Sequence, residues 1–191
     1  MSPVISTRGG VSAGAYGWGA ASAAAIPVYE SIATANGTGS STTITFSSIP
    51  STYTHLQIRG IAFDGGANNV YIRANSDTGS NYARHRLLGQ GVSVTSNGLA
   101  TQTQIDSGMY GGYTTNIMSV WTIDLLDYAS TTKYKTFRGL AGYDQNGTGA
   151  IDVFSGLWQS TSAVTSISII DSASNFNTQT TFALYGIKAA A

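Results

Sequence analysis

The residues that could do chemistry are few, and the first group is the tripeptide Asp77-Thr78-Gly79. Aspartic proteases carry this tripeptide, and their mechanism needs two carboxylates that share one proton. This sequence has no second copy, and polar residues flank the tripeptide where a protease would place an apolar strand. The alternative interpretation is an Asx-type turn, in which the Asp77 carboxylate accepts hydrogen bonds from backbone amides.

The second group is the charged cluster Arg84-His85-Arg86. Because arginine presents a bidentate fork, such a cluster could bind a phosphate or an acidic sugar. The other interpretation is structural, namely an ion pair with Asp77 or with an acidic group on a neighbour. We name as candidate ligand or partner contacts Arg84, His85 and Arg86, together with two tyrosines of a Gly-rich segment, Tyr110 and Tyr113.

Neither a catalytic triad nor a metal site is indicated. His55 and His85 are the only histidines, and the chain has no cysteine. Asp144, Asn146 and Gly147 resemble part of a calcium loop, but the glutamate that would complete the coordination is missing, and a hairpin turn explains them equally well. We therefore expect no catalytic residue, no metal and no cofactor.

The composition indicates a surface that packs against protein. Charged residues make up only 9% of the 191 residues, and the formal net charge is zero, whereas soluble domains usually carry about a quarter. A nucleic-acid partner would require a surplus of clustered basic residues. No stretch of about 18 apolar residues is present to span a membrane, and the N-terminus lacks the pattern of a signal peptide.

Short apolar runs bounded by turn residues predict an all-β fold. Serial strands without helical segments between them favour antiparallel pairing. We expect an antiparallel β-sandwich, jelly-roll-like, of roughly ten strands. The predicted strands are Val28–Ala35, Thr42–Phe46, His55–Phe63, Val70–Ala74, Val92–Thr95, Thr103–Met109, Ile117–Leu126, Tyr134–Tyr143, Ile151–Trp158, Val164–Ile170 and Thr180–Lys188.

Three finer expectations concern how these strands are connected. Thr42–Phe46 and His55–Phe63 are predicted to form a hairpin through a proline-containing loop. Asn75–Gly91 reads as a long polar loop with a helical turn near Tyr82, and residues 110–113 read as an exposed loop. Ile117–Leu126 is apolar on both faces, which indicates a central strand or a subunit contact.

Residues 1–26 differ from the body, residues 27–191, in being rich in Gly, Ala and Ser. A segment with so little bulk cannot build its own core, yet it carries Tyr16 and Trp18, whose large rings favour interfaces. We predict an extended attachment arm that lies against a neighbouring subunit through Arg8, Tyr16 and Trp18. The alternative is a leader without a partner.

Four segments of the body and two of the arm carry a family resemblance. They are Ile44–Leu56 (ITFSSIPSTYTHL), Asn75–Tyr82 (NSDTGSNY), Gly156-Leu157-Trp158, Phe182–Lys188 (FALYGIK), Ile5–Gly10 (ISTRGG) and Ala15–Gly19 (AYGWG). From Thr42 onward the chain resembles a family of small virion proteins of tailed bacteriophages, common among phages of cyanobacteria and marine bacteria. The arm resembles leaders of phage tail and fibre proteins.

This resemblance implies a non-enzymatic structural protein on the exterior surface of a virion. A fibre needs a shaft of coiled coil or repeated β-structure, and no such repeat follows the arm. We therefore expect a capsid cement or decoration protein, assembled as a dimer or trimer and bound to the major capsid protein. The alternative is a tail-fibre or tail-tip protein that contacts a tail or baseplate protein and host-surface polysaccharide.

Overall fold

The computed structural model describes residues 28–114 and 116–188, with the backbone alone at residues 113 and 114. This part of the chain is all-β, and it contains no helix long and apolar enough to cross a membrane. Its thirteen strands are β1 (Tyr29–Asn36), β2 (Thr43–Phe46), β3 (His55–Ala62), β4 (Asn69–Ala74), β5 (Tyr82–Gln90), β6 (Ser93–Gln102), β7 (Ile105–Tyr110), β8 (Gly112–Thr114), β9 (Ile117–Leu126), β10 (Lys135–Asp144), β11 (Gly149–Trp158), β12 (Ile167–Asp171) and β13 (Thr181–Ile187).

The strands form two sheets in which the paired strands run antiparallel. The large sheet has the order β1-β13-β3-β9-β10-β11-β5-β6, and the short β8 pairs with β9. The small sheet has the order β2-β12-β4-β7. Buried side chains from both sheets form one core, so the prediction of an antiparallel β-sandwich is confirmed.

Strand β9 lies in the middle of the large sheet, between β3 and β10. Its inward residues Trp121, Ile123 and Leu125 are almost fully buried, whereas Val120 and Leu126 on the other face are more than half exposed. The apolar character on both faces therefore marks a central strand, as predicted. The outward apolar residues belong to a larger surface that is described below.

Loops complete the core where the small sheet does not cover the large one. Five aromatic or aliphatic side chains from outside the strands are buried, namely Ile49, Phe63, Tyr128, Val164 and Phe176. The Tyr128 hydroxyl donates a hydrogen bond to the Pro50 carbonyl oxygen, which ties two of these loops together.

Glycines on the inner face make room for rings from the paired strand. Gly139 of β10 pairs with Phe154 of β11, and a Cβ atom on Gly139 would lie less than 3.0 Å from ring carbons of Phe154. Gly60 of β3 stands in the same relation to Phe182 of β13. These glycines are therefore required by packing, and they account for part of the high glycine content.

Several sequence expectations are wrong in detail. Residues 82–90 form strand β5 and not part of a polar loop, and there is no helical turn near Tyr82. Strands β2 and β3 do not form a hairpin, because β2 pairs with β12 in the small sheet while β3 pairs with β13 and β9 in the large one. Of the four C-terminal strands, only β10 and β11 pair with each other.

The turn between β10 and β11 is the hairpin expected for Asn146-Gly147. Both residues have positive φ, 58° and 93°, and the Gln145 amide donates to the Thr148 carbonyl at 2.6 Å. The Asp144 carboxylate accepts the Gly147 amide at 3.1 Å. These contacts explain the residues as a turn.

Replacing Gly139 with Ala should destabilise the fold, because the added methyl group would displace the Phe154 ring. We expect the free energy of unfolding to fall by about 1 to 3 kcal/mol, measured by urea denaturation. Gly89→Ala is the matched control. A Cβ atom added at Gly89 would lie 3.3 Å from its nearest neighbour, a side-chain methyl carbon of Ile151. Equal stability of the two variants would contradict this packing role.

Candidate functional site

An exposed apolar surface lies on the outside of the large sheet. Strand pairing places Ile61 beside Val120, Leu140 beside Val153, and Val153 beside Leu87. Paired residues project to the same side of a sheet, so these side chains share one face. The outer apolar face comprises Ile61, Leu87, Val120, Leu140, Ile151 and Val153, each 43 to 59% exposed.

Gly142 leaves a depression within the outer apolar face. It pairs with Val120 on one side and with Ile151 on the other. A shallow cavity of about 220 Å³ lies over it, lined by Val120, Leu140 and Ile151 among others. A second, of about 460 Å³, continues toward Ile61 and Arg59. A partner side chain could therefore insert here.

A polar strip borders the outer apolar face on the same sheet. The Gln57 amide and the Arg138 guanidinium donate to the two oxygens of Asp124 at 2.6 and 2.7 Å, and Arg59 donates to Gln57 at 2.7 Å. Partial burial raises the pKa of Asp124, but these hydrogen bonds outweigh it and hold the pKa below its usual value. The carboxylate is therefore ionised at neutral pH and marks a polar rim.

Arg84 and Arg86 lie between the two sheets, not in an exposed loop. Because β5 alternates, these two residues point inward and His85 points out. The Arg84 Nη2 atom lies 3.4 Å from Asp106 Oδ2, and Arg86 Nε lies 2.8 Å from Asp152 Oδ2. The predicted ion pairing is confirmed, but Asp77 was the wrong partner.

Burial dominates the electrostatics of these charges. It raises the pKa of Asp152 to about 6, against the opposing attraction of Arg86 and Arg84. Burial also lowers the pKa of Arg84, which is only 2% exposed. Arg84 therefore cannot contact a ligand at the surface. His85 is exposed on the outer face of β5, and its role as a contact stays a prediction.

Asp77 forms an Asx-type turn, which was the alternative interpretation to a protease site. Its carboxylate accepts the Gly79 amide at 2.8 Å, the Asn81 side-chain amide at 2.8 Å and the Trp158 indole at 2.7 Å. The Trp158 and Asn81 hydrogen bonds hold the pKa of Asp77 below its usual value. All of these contacts are structural. They keep the Asp77 carboxylate ionised at neutral pH, so it does not hold the shared proton that an aspartic protease needs.

His55 lies close to an aspartate without forming the arrangement of a triad. Its Nδ1 atom accepts a hydrogen bond from the Asp127 backbone amide at 3.1 Å. A triad histidine donates from this nitrogen to the carboxylate, so the direction is reversed here. The Asp127 carboxylate instead binds Lys133 at 2.6 Å. Among residues 28–114 and 116–188, no group of three or more potential ligands could hold a metal ion.

The remaining candidates stay predictions. Tyr110 ends β7, is half-buried, and lies with its ring 6.4 Å from that of Tyr143. Tyr113 is in β8, so the predicted loop is partly a strand, and its side chain is outside the described residues. The predicted arm, including Arg8, Tyr16 and Trp18, also lies outside the described residues.

Comparisons with known proteins identify no family. The sequence matches no family model, and it matches no curated protein. Among solved structures, the galectin LEC-6 of Caenorhabditis elegans is similar over 82% of this chain and 96% of the galectin, with 9% sequence identity and a TM-score of 0.31. A similarity of this size carries no functional conclusion.

The contribution of the buried ion pair between Arg86 and Asp152 to the stability of the fold can be measured. Arg86→Met should lower the free energy of unfolding by about 1 to 3 kcal/mol, since it leaves the buried Asp152 carboxyl group without its partner and the group takes up a proton to stay neutral. The double variant Arg86→Met/Asp152→Asn should recover a large part of this loss in chemical denaturation. Arg138→Met, which removes an exposed ion pair, should cost less than about 1 kcal/mol. A double variant no more stable than Arg86→Met would contradict the pairing.

Proposed function

We propose that this chain is a non-enzymatic structural protein on the exterior of a tailed-phage virion, and specifically a cement or decoration protein of the capsid. The observation that carries the proposal is the outer apolar face. Six exposed aliphatic side chains on five adjacent strands, together with a net charge of zero, are suited to packing against another protein.

Burial of this face would supply the binding energy. At about 25 cal/mol per Å², covering roughly 300 Å² of apolar surface yields about 7 kcal/mol before the costs of association are subtracted. The polar strip around Asp124 would form the rim, where hydrogen bonds fix orientation. Repeated over every copy on a shell, a modest contact of this kind would stabilise the capsid.

The partner in this proposal is the major capsid protein. The surface formed by the coat protein repeats many times on one particle. The six side chains of the outer apolar face include no basic residue, which suits a protein partner and not a nucleic acid. The N-terminal arm with Arg8, Tyr16 and Trp18 would add a second attachment, as the resemblance to phage leaders implies. Two attachments on one chain raise the effective concentration of each. Association of two or three copies is part of the same proposal.

The second candidate is a tail-fibre or tail-tip protein that contributes to adsorption on host-surface polysaccharide. The resemblance of the segment Ala15–Gly19 to fibre leaders favours it. Of the residues that would have contacted a glycan, Arg84 is buried and Arg86 is paired with the buried Asp152. Tyr110, Tyr113 and the exposed His85 remain as predicted contacts. The position of the protein on the particle separates the two candidates.

Leu140→Lys should release the protein from virions without unfolding it. The side chain is 47% exposed, so the free chain tolerates a charge there, whereas a contact that buries it does not. Thr136→Lys is the matched control, because it lies on the same face of the same strand, four residues away and outside the outer apolar face. Copy number per particle, measured by quantitative mass spectrometry, should fall at least about tenfold for Leu140→Lys alone.

Full occupancy by Leu140→Lys would contradict the assignment of this face. Equal loss of both variants would show that added charge anywhere on the sheet is harmful. Circular dichroism and the melting temperature of the purified variants establish that each remains folded.

Imaging of antibody-labelled particles provides the direct test of location. We expect signal distributed over the icosahedral head. Signal confined to the tail would overturn the cement proposal and favour the adsorption role. Binding of the isolated protein to host polysaccharide, with blocked adsorption, would then be the next measurement.

A further inference from the structure

Two carboxyl groups meet at one end of the sandwich, where the two sheets are joined. Asp64 follows β3 of the large sheet, and Asp171 is the last residue of β12 of the small sheet. A Cβ atom on Gly111 would lie 3.1 Å from Asp171 Oδ2 and 3.3 Å from Asp64 Cγ. Both carboxyl groups therefore crowd the same glycine, and Gly111 is buried.

Backbone amides hold both side chains in place. Asp171 Oδ1 accepts the amides of Ala173 and Ser174 at 2.9 and 2.6 Å. Asp64 accepts the amides of Gly66 and Asn68, each at 3.0 Å, and also the Asn68 side chain. These contacts fix the orientation of each carboxyl group, so neither can turn away from the other without losing two or more hydrogen bonds.

One oxygen of the pair has no such partner. Asp171 Oδ2 is buried and accepts no hydrogen bond from the described residues. Asp171 as a whole is 2% exposed and forms no ion pair with any described residue. A buried carboxylate oxygen without a donor is costly, and a second carboxylate beside it adds like-charge repulsion.

We propose that Asp64 and Asp171 share one proton, and that the pair is a pH-sensitive lock between the two sheets. With the proton in place, one carboxyl group donates to the other and joins the end of β12 to the chain after β3. When the proton leaves, two negative charges face each other, and the one on Asp171 is buried. The loop segments around residues 64–68 and 171–174 are then pushed apart.

The electrostatics agree in direction. Burial and the neighbouring Asp64 raise the pKa of Asp171 to about 7, while the Ala173 and Ser174 amides oppose the rise. Since the folded state holds this proton more tightly than the unfolded state, the pair's contribution to stability is complete below about pH 4 and is lost as the pH rises through about 7. Among the described residues, the groups that shift the pKa of Asp171 are Asp64 and these two amides.

The test is the difference in melting temperature between wild type and Asp171→Asn, using the full chain in EDTA. Asparagine keeps the acceptor for Ala173 and Ser174 and adds a donor toward Asp64. We expect the variant to gain several degrees relative to wild type between about pH 4.5 and about pH 8.5. Burial also raises the pKa of Asp152, but this effect is common to both proteins and cancels in the difference.

Asp144→Asn is the matched control, because this carboxylate also accepts a backbone amide in a turn but is exposed. Its difference from wild type should not change in the same way. Parallel curves for wild type and Asp171→Asn would overturn the proposal. So would a rise in the wild-type melting temperature on adding calcium at about pH 8.5 that Asp171→Asn lacks, since the pair would then hold a metal ion and not a proton.

A measurement on the unmodified chain covers the case in which the variant does not fold. Carbon-13 NMR of the aspartate carboxyl groups should show two coupled signals, of which one titrates close to pH 7. Ordinary titration of both near about pH 4 would overturn the proposal.

Discussion

The structure depends on covering an eight-stranded path with a four-stranded sheet. With neighbouring strands about 4.8 Å apart, the large sheet is roughly 34 Å wide and the small sheet roughly 14 Å. The small sheet cannot bury the whole inner face of the large one. Its β7 lies against β11 and β5 at one side, and its β2 lies near β1 at the other. The parts of the inner face that the small sheet does not reach must be covered by loops or by large side chains of the large sheet itself.

Three kinds of covering are seen. Loop side chains such as Tyr128 and Phe176 extend the core beyond the small sheet. Rings from one strand of the large sheet lie over glycines of the next, as Phe154 does over Gly139. Near β7, charged residues fill the space, with Arg86 paired to Asp152. The interior thus becomes more polar toward β5, and β6 beyond it is exposed along most of its length.

The elements that the sequence predicts well are those whose outcome depends on alternation alone. The predicted strand Ile117–Leu126 has the same bounds as β9. Inward and outward residues alternate there without interruption, and turn residues flank the strand. Strand β5 was missed because two of its inward residues, Arg84 and Arg86, are charged. Their charges look like those of a loop until the partners Asp106 and Asp152, on other strands, are known.

Sites formed by pairing between strands that are distant in sequence could not be predicted from the sequence either. The apolar outer residues of β9 were recognised, but the face becomes continuous only when β3, β10, β11 and β5 are placed beside it. Asp64 and Asp171 are separated by more than half of the chain, and nothing in either local sequence indicates the other. Sequence periodicity reports the faces of a strand, whereas the neighbours of a strand are a property of topology.

The glycine and ring pairs also have a consequence for how this protein can change over generations. A lineage cannot gain a side chain at Gly139 while Phe154 keeps its ring, nor at Gly60 while Phe182 keeps its own. Each pair must therefore change together or stay as it is. Homologues aligned on the fold should show covariation between these positions, with a bulky residue at one accompanied by a small residue at the other.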